Sequence, residues 1–163
     1  MFGLFKKNKK EESLNFVAPV SGKAVDLSEV PDPVFAQKMA GDGLGIDSTG
    51  DIIVAPCNGE LTLVFKTKHA FAMTLDNGIE VLVHIGIETV SLNGEGFEQL
   101  AEQGTRVKAG TPIIKIDREF IKNKGLSLVT PVLITNPDTV KSLDVKTGMD
   151  VVAGETVVLE YTI

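Results

Sequence analysis

Two short stretches constrain the fold more than any other feature of the chain, because each repeats the other. Phe16-Val17-Ala18-Pro19-Val20-Ser21-Gly22 is echoed by Ile53-Val54-Ala55-Pro56-Cys57-Asn58-Gly59. Both read apolar-Val-Ala-Pro-x-x-Gly and both lead into an alternating strand pattern. Val129-Thr130-Pro131-Val132 is a weaker third echo. A second pair joins Val107-Lys108-Ala109-Gly110-Thr111-Pro112-Ile113-Ile114 to Val151-Val152-Ala153-Gly154-Glu155-Thr156-Val157-Val158. Each member reads as a strand, a glycine-containing turn and another strand. The repeats are too irregular for a solenoid. They imply an all-β fold, an antiparallel sandwich or barrel with internally duplicated hairpins. One or two short helices accompany it: Phe97 to Gln103 before Gly104, and Asp117 to Lys124 before Gly125 with Asp117 as N-cap. Ser28 to Met39 reads as a loop with one helical turn. Gly41-Asp42-Gly43-Leu44-Gly45 lacks the spacing of a phosphate loop and reads as turn geometry.

At 163 residues the chain is long enough for a single core. The boundaries are a flexible segment over residues 1–14 and one domain over 15–163. The leading MFGLFKKNKKEE is a solvated terminus in its plain reading. In its sharper reading, residues 1–10 make weak peripheral contact with anionic lipid. The net charge of −6 argues against a nucleic-acid binder. The single cysteine, Cys57, excludes an internal disulfide and reads as small-residue packing. Nothing resembles a secretory or membrane-spanning segment, so the expected compartment is the cytoplasm.

The chain has two histidines, His69 and His84. His84 lies in Val81-Leu82-Val83-His84-Ile85-Gly86-Ile87-Glu88. There Val81, Val83, Ile85 and Ile87 alternate toward a core, and His84 points the other way. Asn77-Gly78, taken as a two-residue type I′ loop, sets Phe71 opposite His84 and His69 opposite Gly86. The histidines are then diagonal neighbours on one face, roughly 7–8 Å apart, and Gly86 leaves room beside them. Phe65, Thr67 and His69 alternate on one side of their strand. A longer loop or a bulge would break this register.

A lone histidine on a strand is usually structural, but this predicted face lacks the apolar pattern of a core. Neutral imidazole is a usable nucleophile near pH 7. Attack on phosphorus by one histidine would give a phosphohistidine. The other would donate to the phosphoryl oxygens, and a hydroxyl such as Thr67 would fix a tautomer. The rival is a zinc hydrolase on His69 and His84, which needs a third protein ligand and lacks HxH or HExxH spacing.

Lys66-Thr67-Lys68-His69-Ala70-Phe71, the run Val81 to Val90 (VLVHIGIETV) and Gly94-Glu95-Gly96-Phe97 resemble the glucose-type enzyme IIA family of the bacterial phosphoenolpyruvate-dependent sugar phosphotransferase system. Val30 to Phe35 with Gly41-Asp42-Gly43, and the terminal Val-x-x-Gly-Glu-Thr-x-Val, are similar too. The resemblance runs from about Phe16 to Ile163. It implies an antiparallel β-sandwich and a phosphoryl carrier, a phosphotransferase component without small-molecule turnover of its own. It implies that His84 accepts the phosphoryl group from the phosphocarrier HPr and passes it to a cysteine on the IIB domain of a sugar permease. His69 assists, and Thr67 hydrogen-bonds to it. Phe35, Phe65 and Leu82 form an apolar docking rim, with Gly86 beside it and Asp32 and Glu88 as flanking acids. Some relatives carry Asp at the position of Glu88, Phe at Leu82 and Asn at Lys68. The resemblance implies no required cofactor. In some relatives a partner's carboxylate completes a zinc site on the histidine pair. The resemblance also implies an alternative function, a regulatory protein that binds target proteins according to its phosphorylation state. The Met-initiated, lysine-rich leader fits a free-standing IIA better than an excised permease domain. The sugar is a property of the permease, with glucose the family default.

Overall fold

The computed structural model describes residues 14–163. The expected lipid-contacting residues 1–10 lie outside the described residues. Leu14, assigned by sequence to the leading segment, already opens the first strand.

In chain order the strands are β1 (Leu14–Val17), β2 (Gly22–Asp26), β3 (Asp42–Ser48), β4 (Ile52–Val54), β5 (Gly59–Val64), β6 (Ala70–Thr74) and β7 (Glu80–His84). There follow β8 (Phe97–Gln99), β9 (Arg106–Val107), β10 (Pro112–Ile116), β11 (Val129–Ile134), β12 (Ser142–Val145), β13 (Asp150–Val151) and β14 (Val157–Thr162). All the pairings are antiparallel. The main sheet has eight strands in the order β13-β2-β3-β11-β7-β6-β5-β9, and two three-stranded sheets run β1-β14-β12 and β4-β10-β8.

The duplication seen in the sequence organises these sheets. The order is symmetric about the β11–β7 pair: β13-β2-β3 on one side answers β9-β5-β6 on the other. The two Ala-Pro repeats bond reciprocally, Val17 N–H to the Pro56 carbonyl at 2.8 Å and Val54 N–H to the Pro19 carbonyl at 2.7 Å. Ala18 N–H reaches Thr156 as Ala55 N–H reaches Thr111, and the turn glycines Gly154 and Gly110 donate back to Ala18 and Ala55. Each proline removes a donor from a segment that has already left its ladder, where its loss is tolerated.

One large core lies between the sheets, with Phe16, Leu44, Ile46, Ile53, Leu61, Phe71 and Ile114 fully buried. Phe16 meets Tyr161 edge-on at 5.6 Å. A second, smaller cluster of Leu27, Val30, Phe35, Ile87 and Leu133 packs with Leu82 on its flank. Ile87, expected in the main core by alternation, belongs to this second cluster. The strand ends at His84, and the positive φ of Gly86 (78°) turns the chain across the sheet.

The loop after β6 differs from expectation. Asn77 does not have the positive φ that a type I′ turn requires of both central residues, and only Gly78 does, at 88°. Leu75 N–H donates to the Ile79 carbonyl, so Asp76-Asn77-Gly78 forms a three-residue loop. The Asn77 amide is occupied, its oxygen accepting from Ile79 N–H and its nitrogen donating to the Tyr161 hydroxyl. Every pair in the ladder therefore shifts by one: Ala70 opposes His84, and Phe71 opposes Val83.

Two further elements differ. Phe97 to Gln103 is not a helix. Phe97–Gln99 is strand β8, paired with β10 (Phe97 opposite Ile116), and Phe97 is buried. A seven-residue helix has little stability of its own, and sheet pairing with burial outweighs it. The glycine-rich 41–45 stretch opens β3 in the middle of the main sheet. A Cβ at Gly43 would sit 2.0 Å from the Val132 carbonyl oxygen, so these glycines permit close backbone approach. The helix at Arg118–Asn123 forms as read, capped by Asp117 and followed by Gly125 at φ 77°.

Phe71 is fully buried in the core beside the strand residue that faces His84. Phe71→Ala is expected to lower unfolding free energy by about 3–5 kcal/mol, read from the midpoint of a urea titration at unchanged m-value.

Candidate phosphoryl-transfer site

The site lies at one end of the central strands, where β7 runs between β11 and β6. His84 is the last residue of β7 and is half-buried. His69 is in the turn joining β5 to β6, with 4% of its surface exposed. Alternation in the observed register would turn His69 toward the core. The chain leaves the strand at Ala70 instead. Phe65 N–H donates to the Ala70 carbonyl, Lys68 N–H donates to the Phe65 carbonyl, and Lys68 takes a left-handed φ of 58°. This turn, rather than a shared strand face, brings the two imidazoles together with ring centroids 4.9 Å apart and an interplanar angle of 82°. Phe65, Thr67 and His69 accordingly do not alternate along a strand.

The tautomers follow from the partners. His84 Nδ1 lies 2.7 Å from the Gly86 carbonyl oxygen. A carbonyl only accepts, so Nδ1 carries the proton and Nε2 keeps its lone pair. Thr67 Oγ1 lies 2.6 Å from His69 Nδ1. When the hydroxyl donates, His69 presents Nε2–H as a donor. Both rings are neutral near pH 7. Burial, with the charge of His84 second, holds His69 down to about 4 from its ordinary 6.5. Burial also lowers His84, opposed by the Gly86 carbonyl and the charge of Asp32.

Phe35 packs against His84 at 4.9 Å between centroids, and Phe65 meets His69 edge-on at 5.3 Å. Leu82 flanks the cluster that holds Phe35. Phe35 is only 7% exposed, so it walls the imidazole more than it forms a rim. Asp32 caps the helical turn Pro33–Ala36, accepting from Val34 N–H at 2.8 Å. Glu88 is exposed, in a left-handed conformation before the 3₁₀ turn Thr89–Leu92. Gly86 is buried and leaves no opening beside His69. A Cβ there would meet Thr89 Cγ2 at 2.6 Å and the Ser127 carbonyl oxygen at 2.8 Å. Sequence reasoning missed the exposed apolar residues Val34, Met39 and Val90, which lie on the segments carrying Phe35 and Glu88. Their proximity in sequence to those residues was the available signal.

Cys57 is buried in the main core, and burial pushes its thiol up to about 12. It is remote from thiolate chemistry. Among the described residues no group of three or more His, Cys, Asp and Glu side chains stands in metal-binding arrangement. The histidine pair alone is short of the three protein ligands of a zinc hydrolase.

The class of protein is therefore an antiparallel β-sandwich that presents two neutral imidazoles side by side, one of them at the end of a central strand. Comparison with known proteins narrows the class to one family. The family described as "phosphoenolpyruvate-dependent sugar phosphotransferase system, EIIA 1" matches residues 14–140. A Staphylococcus epidermidis protein named PTS system glucose-specific EIIA component is 44% identical over 161 residues, covering 98% of this chain and 97% of its own. A Bacillus anthracis protein of the same name is 43% identical over 162 residues, covering 99% and 96%. The solved structure of glucose permease IIA from Mycoplasma capricolum superposes with a TM-score of 0.85 at 38% identity, covering 91% of this chain and 96% of that one. The chain belongs to the EIIA 1 family of the phosphoenolpyruvate-dependent sugar phosphotransferase system, and its role there is that of a phosphoryl carrier.

The depressed basicity of His69 makes stability depend on pH. The unfolded chain binds a proton near 6.5 and the folded protein near 4. Stability is therefore full above about pH 6.5 and declines as pH falls toward 4. The urea midpoint is expected to drop between pH 7 and pH 5, with a smaller drop in His69→Gln.

Proposed function

We propose that His84 is the residue that carries the phosphoryl group, received from HPr and delivered to the IIB domain of a sugar permease. The observation that carries this reading is the 2.7 Å contact from His84 Nδ1 to the Gly86 carbonyl. It leaves Nε2 as the free nucleophile on a half-buried ring at the end of β7.

The lone pair on Nε2 forms the new N–P bond while the donor's P–N bond breaks, its electron pair returning to the donor nitrogen. His84 keeps its Nδ1 proton throughout, and the cationic phosphoimidazole that results is stabilised by the Gly86 carbonyl. His69, with its tautomer set by Thr67, donates from Nε2 to a phosphoryl oxygen and stabilises the spread of charge in the transition state. Delivery reverses the step: a IIB thiolate attacks phosphorus, and the electron pair of the P–N bond returns to His84 Nε2.

Phe65 and Leu82, with the exposed Val34, Met39 and Val90, supply an apolar surface on which two partners dock in turn, and the buried Phe35 backs the His84 ring beneath it. Such transient contacts suit a small interface with few required pairings. Asp32 and Glu88 add charge at its edge. Glucose is the sugar to which the names of the relatives point. No cofactor is needed for this chemistry. A partner that brought a carboxylate to the two imidazoles would complete a three-ligand zinc site. The expected compartment is the cytoplasm, where the phosphoryl donor is made. Among the described residues no helix is long and apolar enough to cross a membrane.

His84→Gln is expected to take up no phosphoryl group from phosphoenolpyruvate, enzyme I and HPr. Intact-mass analysis should show one acid-labile group on the wild type and none on the variant. His69→Gln is expected to accept from HPr but to fail in sugar phosphorylation. Normal sugar phosphorylation by His69→Gln refutes the assisting role, and an unmodified wild type refutes the relay.

A further inference from the structure

The backbone around Gly86 is tied at three points, each from a different part of the fold. Ile85 N–H donates to the His69 carbonyl at 2.6 Å, and Ile87 N–H donates to the Ser127 carbonyl at 2.9 Å. The Thr89 hydroxyl donates to the Ile85 carbonyl at 2.5 Å. Thr89 has no exposed surface, and its methyl group presses against Gly86, 2.6 Å from where a Cβ would stand.

The geometry of one peptide explains why these ties matter. In a trans peptide the C=O and N–H are coplanar and point to opposite sides. The Gly86 carbonyl and the Ile87 N–H belong to the same peptide. Anchoring that N–H on Ser127 aims the carbonyl the other way, at His84 Nδ1. The left-handed φ of Gly86 gives the preceding residue a separate freedom. Thr89 removes it by holding the Ile85 carbonyl and filling the space over Gly86.

We propose that Thr89 is a positioning residue for phosphoryl transfer: its hydroxyl and methyl group hold the 85–87 backbone so that the Gly86 carbonyl keeps the His84 proton on Nδ1. This rests on the reading of His84 as the phosphoryl acceptor. A loosened backbone admits the other neutral tautomer, with the proton on Nε2. That nitrogen then has no lone pair in the ring plane with which to attack phosphorus. The rate of acceptance falls with the fraction of rings in the competent tautomer. Sequence alone gives no sign of this role, because a threonine three residues beyond a turn glycine reads as turn composition.

The test uses the full chain labelled with ¹⁵N and compares wild type, Thr89→Val and Thr89→Ser. Valine keeps the shape and removes the donor, while serine keeps the donor. Two readouts are taken: the ¹⁵N shifts of the His84 ring nitrogens at a pH where the ring is neutral, and the rate of acceptance from phosphorylated HPr. The wild type is expected to show a protonated Nδ1 and a bare Nε2. Thr89→Val is expected to show averaged shifts from mixed tautomers and a rate that falls in proportion to the lost Nδ1–H fraction, about twofold for an even mixture. Thr89→Ser is expected to restore both. A folded Thr89→Val with wild-type shifts and rate overturns the proposal, and so does one that is less stable but keeps the wild-type tautomer. Should Thr89→Val not fold, Thr89→Cys carries the same comparison, since a thiol of similar size is a weak donor. A wild type that takes up no phosphoryl group defeats the acceptor reading instead, and the tautomer measurement still decides whether Thr89 sets the His84 proton.

Discussion

The hydrogen bond from His84 Nδ1 to the Gly86 carbonyl sets what the rest of the site must provide. A carrier imidazole has to be neutral, fixed in one tautomer and open at its other nitrogen. Burial meets the first demand, and the backbone carbonyl of a residue two positions on meets the second, because it can only accept. It can do so only if the chain turns sharply after His84. Gly86 makes that turn at positive φ in a space that admits no side chain. The end of β7, the buried Thr89 and the Ser127 carbonyl all surround this one contact.

The duplicated architecture supplies the stiffness. The β7–β11 pair at the centre of the main sheet has three strands beyond it on either side, so His84 ends a strand that is hydrogen-bonded on both edges. A site on central strands is held more closely than one on loops. The reciprocal bonds between the two Ala-Pro segments lock the halves together. The moving parties in a relay are then the partners, which must dock and leave.

Electrostatics follow from partial burial. His69 and His84 lie near each other, and burial disfavours charge on both. Two neutral rings side by side do not repel, and either can act as donor or nucleophile according to its hydrogen-bonded nitrogen. Asp32 keeps a countercharge near His84 without bonding to it, because its carboxylate is engaged in capping Pro33–Ala36.

The pattern of repeats determined the all-β class and the pairing of hairpins, because period-two alternation and turn residues are local properties of the chain. The histidines, Thr67 and Phe35 were also legible, from residue type and family motif. Other features were decided by contacts distant in sequence. Asp76-Asn77-Gly78 took a three-residue loop, with the Asn77 side chain held by Ile79 and by Tyr161, far along the chain. That shifted the register by one and removed the strand-face argument for pairing His69 with His84. The β5–β6 turn at Lys68 restored the pairing by another route. Phe97–Gln99 became an edge strand because β10 offered a ladder, and the 41–45 glycines became a central strand because β11 approaches too closely for side chains. The clamp on Gly86 joins residues 69, 85, 87, 89 and 127. Local sequence fixes which residues can carry the chemistry. Only packing in three dimensions decides which carbonyl meets which ring nitrogen, since a hydrogen bond depends on where two distant backbones come to rest.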